Sequence, residues 1–404
     1  MSEIFIVVGA GHCGGQLVAR LRAEHVKVNV QLIGEEPHLP YQRPPLSKAF
    51  LAGEVGLERV YLRPADFYGS ADIEVTLETR VTAINPTDKT IALSSGEVLT
   101  YEKLALTTGS RIRELPLPGV ELPGIFYLRN IHDSEQIRSH FKPGARLVIV
   151  GGGYIGLEVA AVASTQGVAV MVLEMEPEVM HRVVAAQVAQ FYRQVHRDAG
   201  VNIRTGVKVS GFEGDGKVRQ VLTADGSRFD ADFVVIGVGI IPNSELASDA
   251  GLETNNGIVV DEYGQTSDPD IFAAGDCTNH PSALYGRRVR LESVHNAMAQ
   301  AKAVAANMCG KRLPYAEVPW FWSDQYDLKL QIAGLSQGHD QTVIRGSPED
   351  RTFTVFYLKE GVLVAADSVN AMQDHMVCRT LIAKKARIAP AKLADPAIPL
   401  KEVA

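Results

Sequence analysis

Six glycines set out the chemistry this chain can support. Gly9, Gly11 and Gly14 fall at the spacing G-x-G-x-x-G, and Gly151, Gly153 and Gly156 repeat it. In this pattern the first glycine permits a tight turn, the second lets a pyrophosphate approach the backbone, and the third lets a helix pack closely on a strand. The phosphates then lie on the partial positive charge of a helix N-terminus. A carboxylate completes each set: Glu35, favoured over Glu36, after the first triplet and Glu174 after the second. An acid there accepts from ribose hydroxyls, and Glu174 would repel a 2′-phosphate. No arginine follows Glu174 before Arg182, so NADH is expected over NADPH. A further acid, Asp276, follows Gly275 in the run Asp270 to Cys277 and suits a ribityl hydroxyl.

The elements needed to position these groups are legible around them. Ile4 to Val8 and Leu147 to Val150 are short apolar strands; Gly15 to Ala23 and Tyr154 to Thr165 run at helical spacing; Val28 to Ile33 and Val168 to Leu173 are the next strands. This strand–glycine–helix–strand context separates a dinucleotide site from a mere turn. Each half continues with turn-rich β sequence and closes on an apolar strand ending in glycine, Lys103 to Gly109 and Phe233 to Gly239. The chain therefore holds an internal repeat of a whole nucleotide-binding domain, offset by 142 residues from Gly9 to Gly151. Two dinucleotide sites in one chain imply that two redox cofactors meet. Glu292 to Ala306 reads as a helix with Glu292 and His295 on one face. Trp320 and Trp322 alternate as in a strand and face one way. Pro390 to Pro399 reads as an extended arm.

Composition bounds the reading. With 404 residues, 46% apolar and 22% charged, the chain is an ordinary globular sequence of two or three domains. No apolar run approaches a membrane span, and the opening residues enter a strand without a signal-like segment. A net charge of −7 argues against general nucleic-acid binding. These features lead to an expected cytoplasmic location. The four cysteines, Cys13, Cys277, Cys309 and Cys378, show neither disulfide nor metal spacing, so no metal is expected. Cys13 falls near a helix N-terminus, where a thiol can be acidified, but packing is the better account.

Taken together, these motifs resemble the FAD-dependent, NADH-using ferredoxin reductases of bacterial monooxygenase and dioxygenase systems, the putidaredoxin-reductase-like branch of the two-dinucleotide flavoproteins. The resemblance covers essentially the whole chain. Beyond the two fingerprints it rests on Leu39 to Lys48, Thr107 to Ser110, Gly237 to Asn243, Ala273 to Cys277, Leu291 to Ala297 and Pro319 to Gln325. It implies an α/β chain with two Rossmann-like domains, the FAD domain discontinuous (1–111 and 242–319), the NAD domain inserted (112–241), and a small C-terminal α+β domain (320–404) covering the flavin. For FAD it implies Arg43, Lys48, Val81, Thr108, Gly109, Arg111, Asp276, Glu292, His295 and Trp322 beside Gly9, Gly11, Gly14 and Glu35. For NAD it implies Tyr154, Ile155, Gly237 and Gly239 beside Gly151, Gly153, Gly156 and Glu174. Lys48, near flavin N5, would pair with Glu158, and the cation would stabilise charge on the reduced flavin.

Thiol-using relatives place a reactive cysteine near the Tyr41 to Lys48 segment, whereas this chain has none between Cys13 and Cys277. Electrons must then leave directly, and the expected acceptor is a 2Fe–2S ferredoxin. Small ferredoxins are acidic, and Arg287, Arg288 and Arg290 form the favoured basic patch for steering one, with the lysine-rich tail after Leu381 as a second. The alternatives are a quinone or monodehydroascorbate-type reductase and a flavoprotein similar to apoptosis-inducing factors. The chain is expected as a monomer or homodimer.

Overall fold

The computed structural model describes residues 3–24 and 27–403. By contact density the chain divides into two compact units. The first comprises Met1–Gln42, Leu57–Arg111 and Ile241–Pro319; the second comprises Arg43–Gly56, Ile112–Ile240 and Trp320–Ala404.

In the first unit, Ile4–Val8 occupies the centre of a five-stranded parallel sheet in the order Ile271–Ala273, Lys103–Leu106, Ile4–Val8, Asn29–Ile33, Ile73–Thr76. Strands buried on both faces must be apolar throughout, and Phe5, Ile6 and Val7 are each almost fully buried. The helix His12–Ala23 packs Leu17, Val18 and Leu21 onto the sheet, alongside Ala301, Val304 and Ala305 of the helix Val294–Met308.

The second unit repeats the plan. Its parallel sheet runs Asn202–Arg204, Ala169–Leu173, Arg146–Val150, Phe233–Ile236, Ile125–Tyr127. The helix Tyr154–Thr165 follows the central strand with the same 12-residue length as His12–Ala23. Even the single backbone bonds at the turns recur: Gly9 N donates to Ile33 O and Gly151 N to Leu173 O, both at 2.8 Å. Each half also carries a three-stranded antiparallel sheet, Val81–Asn85, Thr90–Leu93, Val98–Thr100 in one and Val209–Glu213, Gln220–Thr223, Arg228–Asp230 in the other. The second unit ends in a five-stranded antiparallel sheet, in the order Trp320–Gln325, Leu328–Gly334, Val362–Val369, Thr352–Lys359, Gln341–Ser347, with the helix Met372–Ala383 against it.

Two local expectations are corrected. The helix expected from Glu292 begins at Val294, because Ser293 caps it by accepting from Asn296 N at 3.1 Å. Glu292 precedes the helix and shares no helical face with His295. The segment expected as an extended arm contains a helix, Pro390–Ala394, with proline in its first turn, where the missing N–H has no cost and the fixed φ suits the helix. Arg345, buried within the sheet, holds that segment by donating to the carbonyls of Leu393, Asp395, Pro396 and Ile398.

Candidate functional site

The two glycine triplets divide their labour in the same way. A Cβ on Gly9 would meet Thr107 O at 2.3 Å and one on Gly14 would meet Gly9 O at 2.0 Å; on Gly151 and Gly156 the nearest atoms are Gly237 O at 2.4 Å and Gly151 O at 2.3 Å. Gly9 and Gly151 also hold φ near +108°, a region that favours glycine. These four are therefore glycines for packing and backbone geometry. Gly11 and Gly153 are different: a Cβ there meets nothing within 4 Å. Each is the N-cap of its helix, with no side-chain capping bond and no acid in the first turn. The first-turn N–H groups have no side-chain cap and the backbone before them is open to approach, which fits a dinucleotide pyrophosphate at both places.

Glu174 sits where a ribose-reading acid belongs. Its Oε2 accepts from Gly152 N at 2.5 Å, inside the second triplet, and its Oε1 accepts from Glu176 N at 2.7 Å. The carboxylate is thus fixed beside the glycine turn. Arg182 is paired with Glu176 at 3.5 Å. Tyr154 is tucked against Phe321 with ring centroids 4.6 Å apart, and burial raises its phenol well above the ordinary value; Ile155 beside it is exposed. Gly239 has φ +107° and Gly237 lies against the first glycine of the triplet. In the first unit Glu35 is exposed and pairs with Arg80 at 3.4 Å, while Glu36 accepts from the Tyr41 hydroxyl.

Lys48 and Glu158 are together, with Nζ to Oε2 at 2.6 Å. Glu158 is only 2% exposed. Its burial is made possible by two further donors that the sequence reading missed: Ser47 Oγ at 2.5 Å on Oε2 and Ser323 Oγ at 2.6 Å on Oε1. A buried carboxylate is tolerated when its charge is paired and its lone pairs are filled. Both serines stand inside segments already singled out, one beside Lys48 and one after Trp322, but neither carries a pattern of its own. Pro44 begins a short 3-10 turn, Pro44–Ser47, that presents Ser47 and Lys48 in succession. Arg43, just before it, donates to the carbonyl of Arg129.

The remaining candidates in the first unit form a second set. Thr108 Oγ1 donates to Asn243 O at 2.6 Å, Asn243 Nδ2 donates to Thr108 O at 2.9 Å, and Arg111 reaches Asn243 Oδ1 at 3.0 Å and Glu245 at 2.7 Å. Gly109 takes φ +64° at this junction. Ser110 Oγ donates to Asp276 Oδ2 at 3.2 Å, and Gly275 before it, at φ +89°, lies against Cys13. Val81 is buried at the start of its strand. Glu292 is paired with Arg290 at 2.5 Å, and His295 lies 3.9 Å from Glu317. Trp322 stacks at 5.4 Å on Trp320 in the second unit, so the two indoles do share a face. The Arg287–Arg290 patch is less free than its composition suggests: besides the Arg290 pair, Arg288 donates to Val260 O at 2.6 Å and to Asn279 Oδ1 at 3.1 Å.

All four cysteines are free thiols. Burial raises Cys13, Cys277, Cys309 and Cys378 alike; at Cys13 the neighbouring Cys277 and Asp276 raise it further. Among the described residues no cluster of His, Cys, Asp and Glu could hold a metal ion, and no helix is long and apolar enough to cross a membrane.

Comparison with known proteins identifies the family. Residues 4–301 match the family model described as pyridine nucleotide-disulphide oxidoreductase, and residues 320–404 match the one described as reductase C-terminal. The chain is 44% identical to putidaredoxin reductase of Pseudomonas putida, over 98% of this chain and 96% of that one. It is 42% identical to the ferredoxin reductase subunit of the 5,5′-dehydrodivanillate O-demethylase of a Sphingobium, over 98% and 97%. Among solved structures it matches the reductase in the covalent putidaredoxin reductase–putidaredoxin complex with a TM-score of 0.97 at 44% identity, covering 99% of this chain and 98% of that one. The ferredoxin reductase of the CYP199A2 system from Rhodopseudomonas palustris gives 0.97 at 41%, covering all of both chains. The chain belongs to the pyridine nucleotide-disulphide oxidoreductase family, in its putidaredoxin-reductase-like branch of ferredoxin reductases.

Proposed function

We propose that this chain oxidises NADH and reduces a 2Fe–2S ferredoxin serving a monooxygenase or dioxygenase, with FAD as its resident cofactor. The observation that carries the reading is the pairing of Lys48 with the buried Glu158 in a disulphide-oxidoreductase frame whose cysteines are all unpaired, with thiols raised by burial. Bound FAD supplies the capacity to accept two electrons together and release them one at a time.

The chain's own residues then have limited tasks. The open backbone at Gly11 and Gly153 receives the two pyrophosphates, and Glu174 accepts from the adenosine ribose, favouring NADH. Lys48 supplies a positive charge for the negative charge that develops on reduction, and Glu158 fixes its ammonium. No side chain is required as a general acid or base, and no thiol relays electrons. Glu35, Asp276 and the Thr108 to Arg111 junction are assigned to FAD, within the domain division 1–111, 112–241, 242–319 and 320–404. The names of the relatives support the acceptor, since they include a putidaredoxin reductase and the ferredoxin reductase components of an O-demethylase and of dioxygenase systems. Two separate sources of charge are available to an acidic partner: Arg287 in the first unit, and the exposed lysines of the tail, Lys384, Lys385, Lys392 and Lys401, in the second. A cytoplasmic location accords with this role.

The test is anaerobic. The yellow protein is mixed with NADH and then with an oxidised 2Fe–2S ferredoxin, and flavin and iron–sulfur absorbance are followed together. Ferredoxin reduction as fast as NADH turnover is the expected result. Reoxidation by a quinone but not by any ferredoxin would overturn the acceptor assignment.

A further inference from the structure

Glu158 terminates an unbroken run of hydrogen bonds inside the second unit. From its Oε1 the run passes to Ser323 Oγ at 2.6 Å, Gln325 Nε2 at 3.1 Å from that oxygen, His196 Nε2 at 2.8 Å from Gln325 Oε1, the Tyr326 hydroxyl at 3.1 Å from His196 Nδ1, and Ser164 Oγ at 3.2 Å. Ser323, Gln325 and His196 are each at most 1% exposed. Ser323 and Gln325 share a face of the strand Trp320–Gln325, and His196 lies in the last turn of the helix Ala186–Asp198. Tyr326, at φ +56° just beyond the strand, sets its ring edge-on to His196 with centroids 5.0 Å apart.

The polarity of this run is forced from one end. An ionised carboxylate only accepts, so Ser323 must spend its single proton on Glu158. Gln325 must then donate to Ser323 with its amide nitrogen, which turns its carbonyl oxygen toward His196. His196 must in turn carry its proton on Nε2, leaving Nδ1 to accept from Tyr326; beyond it, Ser164 Oγ shares its one proton between Tyr326 and Ala161 O, 3.1 Å away. Every bond from Tyr326 inward donates toward Glu158, the arrangement in which successive bonds polarise one another. Burial holds His196 down at about 4, so its imidazole stays neutral with one N–H, as the run requires. The amide in the middle does not shuttle protons by simple exchange, so the run orients and does not conduct.

We propose that His196 and Gln325 are positioning residues for the Lys48–Glu158 pair, acting through the hydroxyl of Ser323. They hold the serine proton on Glu158 Oε1, fix the orientation of that carboxylate, and so keep the Lys48 ammonium in place on Oε2. The consequence for reduction chemistry rests on the role given to this pair above; the coupling itself does not.

The experiment is a pH titration of the Glu158 carboxyl in the FAD-loaded protein by 13C NMR of glutamate-labelled samples, the resonance assigned by its loss in Glu158→Gln. Ser323→Ala and Gln325→Leu should each raise the midpoint by about half to one pH unit, the scale of one lost hydrogen bond to the charged form. His196→Leu should raise it in the same direction, and His196→Gln, which retains an N–H near the Nε2 position, should restore it. Tyr326→Phe, at the less buried end, should fold normally and give a midpoint between wild type and Gln325→Leu. Midpoints unchanged from wild type in Gln325→Leu, His196→Leu and Tyr326→Phe would overturn the proposal, whatever Ser323→Ala does. No electron acceptor enters this measurement, so a wrong ferredoxin assignment leaves its outcome intact.

Discussion

Alanine at Gly153 and alanine at Gly156 should do opposite things, although only two residues separate them. A Cβ on Gly156 would lie 2.3 Å from Gly151 O and 3.2 Å from Ile149 Cγ2, so strand and helix must move apart. Overpacking of this kind costs about 1–3 kcal/mol, enough to shift a urea midpoint clearly. At Gly153 the new carbon meets no protein atom, and φ of −77° is open to any residue. The loss of a glycine N-cap is offset by a less flexible unfolded chain, so stability should stay within about 0.5 kcal/mol. What Gly153→Ala should lose is NADH. If the methyl displaces the pyrophosphate from one charge-assisted N–H bond, the loss of about 1.5–3 kcal/mol corresponds to roughly 10- to 100-fold in Kd. The assay pairs urea unfolding by circular dichroism with stopped-flow flavin reduction across NADH concentrations. Equal destabilisation of the two variants, or unaltered NADH affinity in Gly153→Ala, would refute the assignment of the open glycine to the phosphates. The first triplet offers the same contrast, with Gly11→Ala expected to weaken FAD retention and Gly14→Ala, at 2.0 Å from Gly9 O, expected to weaken the fold.

Glu174→Ala should lower kcat/KM for NADH and narrow its preference over NADPH by tenfold or more, because it removes both the ribose acceptor and the charge that repels a 2′-phosphate; the ratio of kcat/KM for the two nucleotides is the measurement. Asp367, buried where it accepts from the Tyr357 hydroxyl and Ala185 N, is raised by that burial to about 7. A carboxyl whose folded value exceeds its unfolded value binds its proton more tightly when folded, so its contribution to stability falls as pH rises from about 4 to about 7 and is level above that. Asp367→Asn should flatten this part of the profile of Tm against pH. Arg345→Leu leaves the carbonyls of Leu393, Asp395, Pro396 and Ile398 without their donor; limited proteolysis should cut after residue 390 several-fold faster, with NADH-driven flavin reduction unchanged.

What was legible in the sequence was the part governed by local rules. The fingerprint strand, turn and helix carry their own constraints: apolar residues for a sheet buried on both faces, glycine where a carbonyl passes within 2.4 Å of a Cβ position, then helical spacing. That is why Tyr154 to Thr165 could be bounded to the residue; the first helix, expected from Gly15 to Ala23, instead begins at His12, where the 142-residue offset from Tyr154 falls. Boundaries set by a single side chain were harder. In Glu292 to Ala306 the start was legible only through Ser293, a favoured N-cap whose hydroxyl accepts from Asn296 N, and an expected start at Glu292 overlooks it. The proline-spaced tail read as extended since proline at a first helical position and proline in an arm look alike in one dimension; the difference is made by Arg345, far earlier in the chain, collecting four carbonyls.

The same reasoning explains why Lys48 and Glu158 were found and their support was not. Their pairing was implied by the resemblance to the ferredoxin reductases, because both residues stand inside motifs on which that resemblance rests. Ser47, Ser323, Gln325 and His196 were given no such role: each is an ordinary polar residue until a buried carboxylate needs its remaining lone pairs filled. Burying Glu158 at 2% exposure fixes the demand, and long-range packing of the C-terminal strand and the helix Ala186–Asp198 supplies the donors. Sequence predicts which groups must be charged; the polarity of the bonds that keep them charged emerges only when the chain has closed around them.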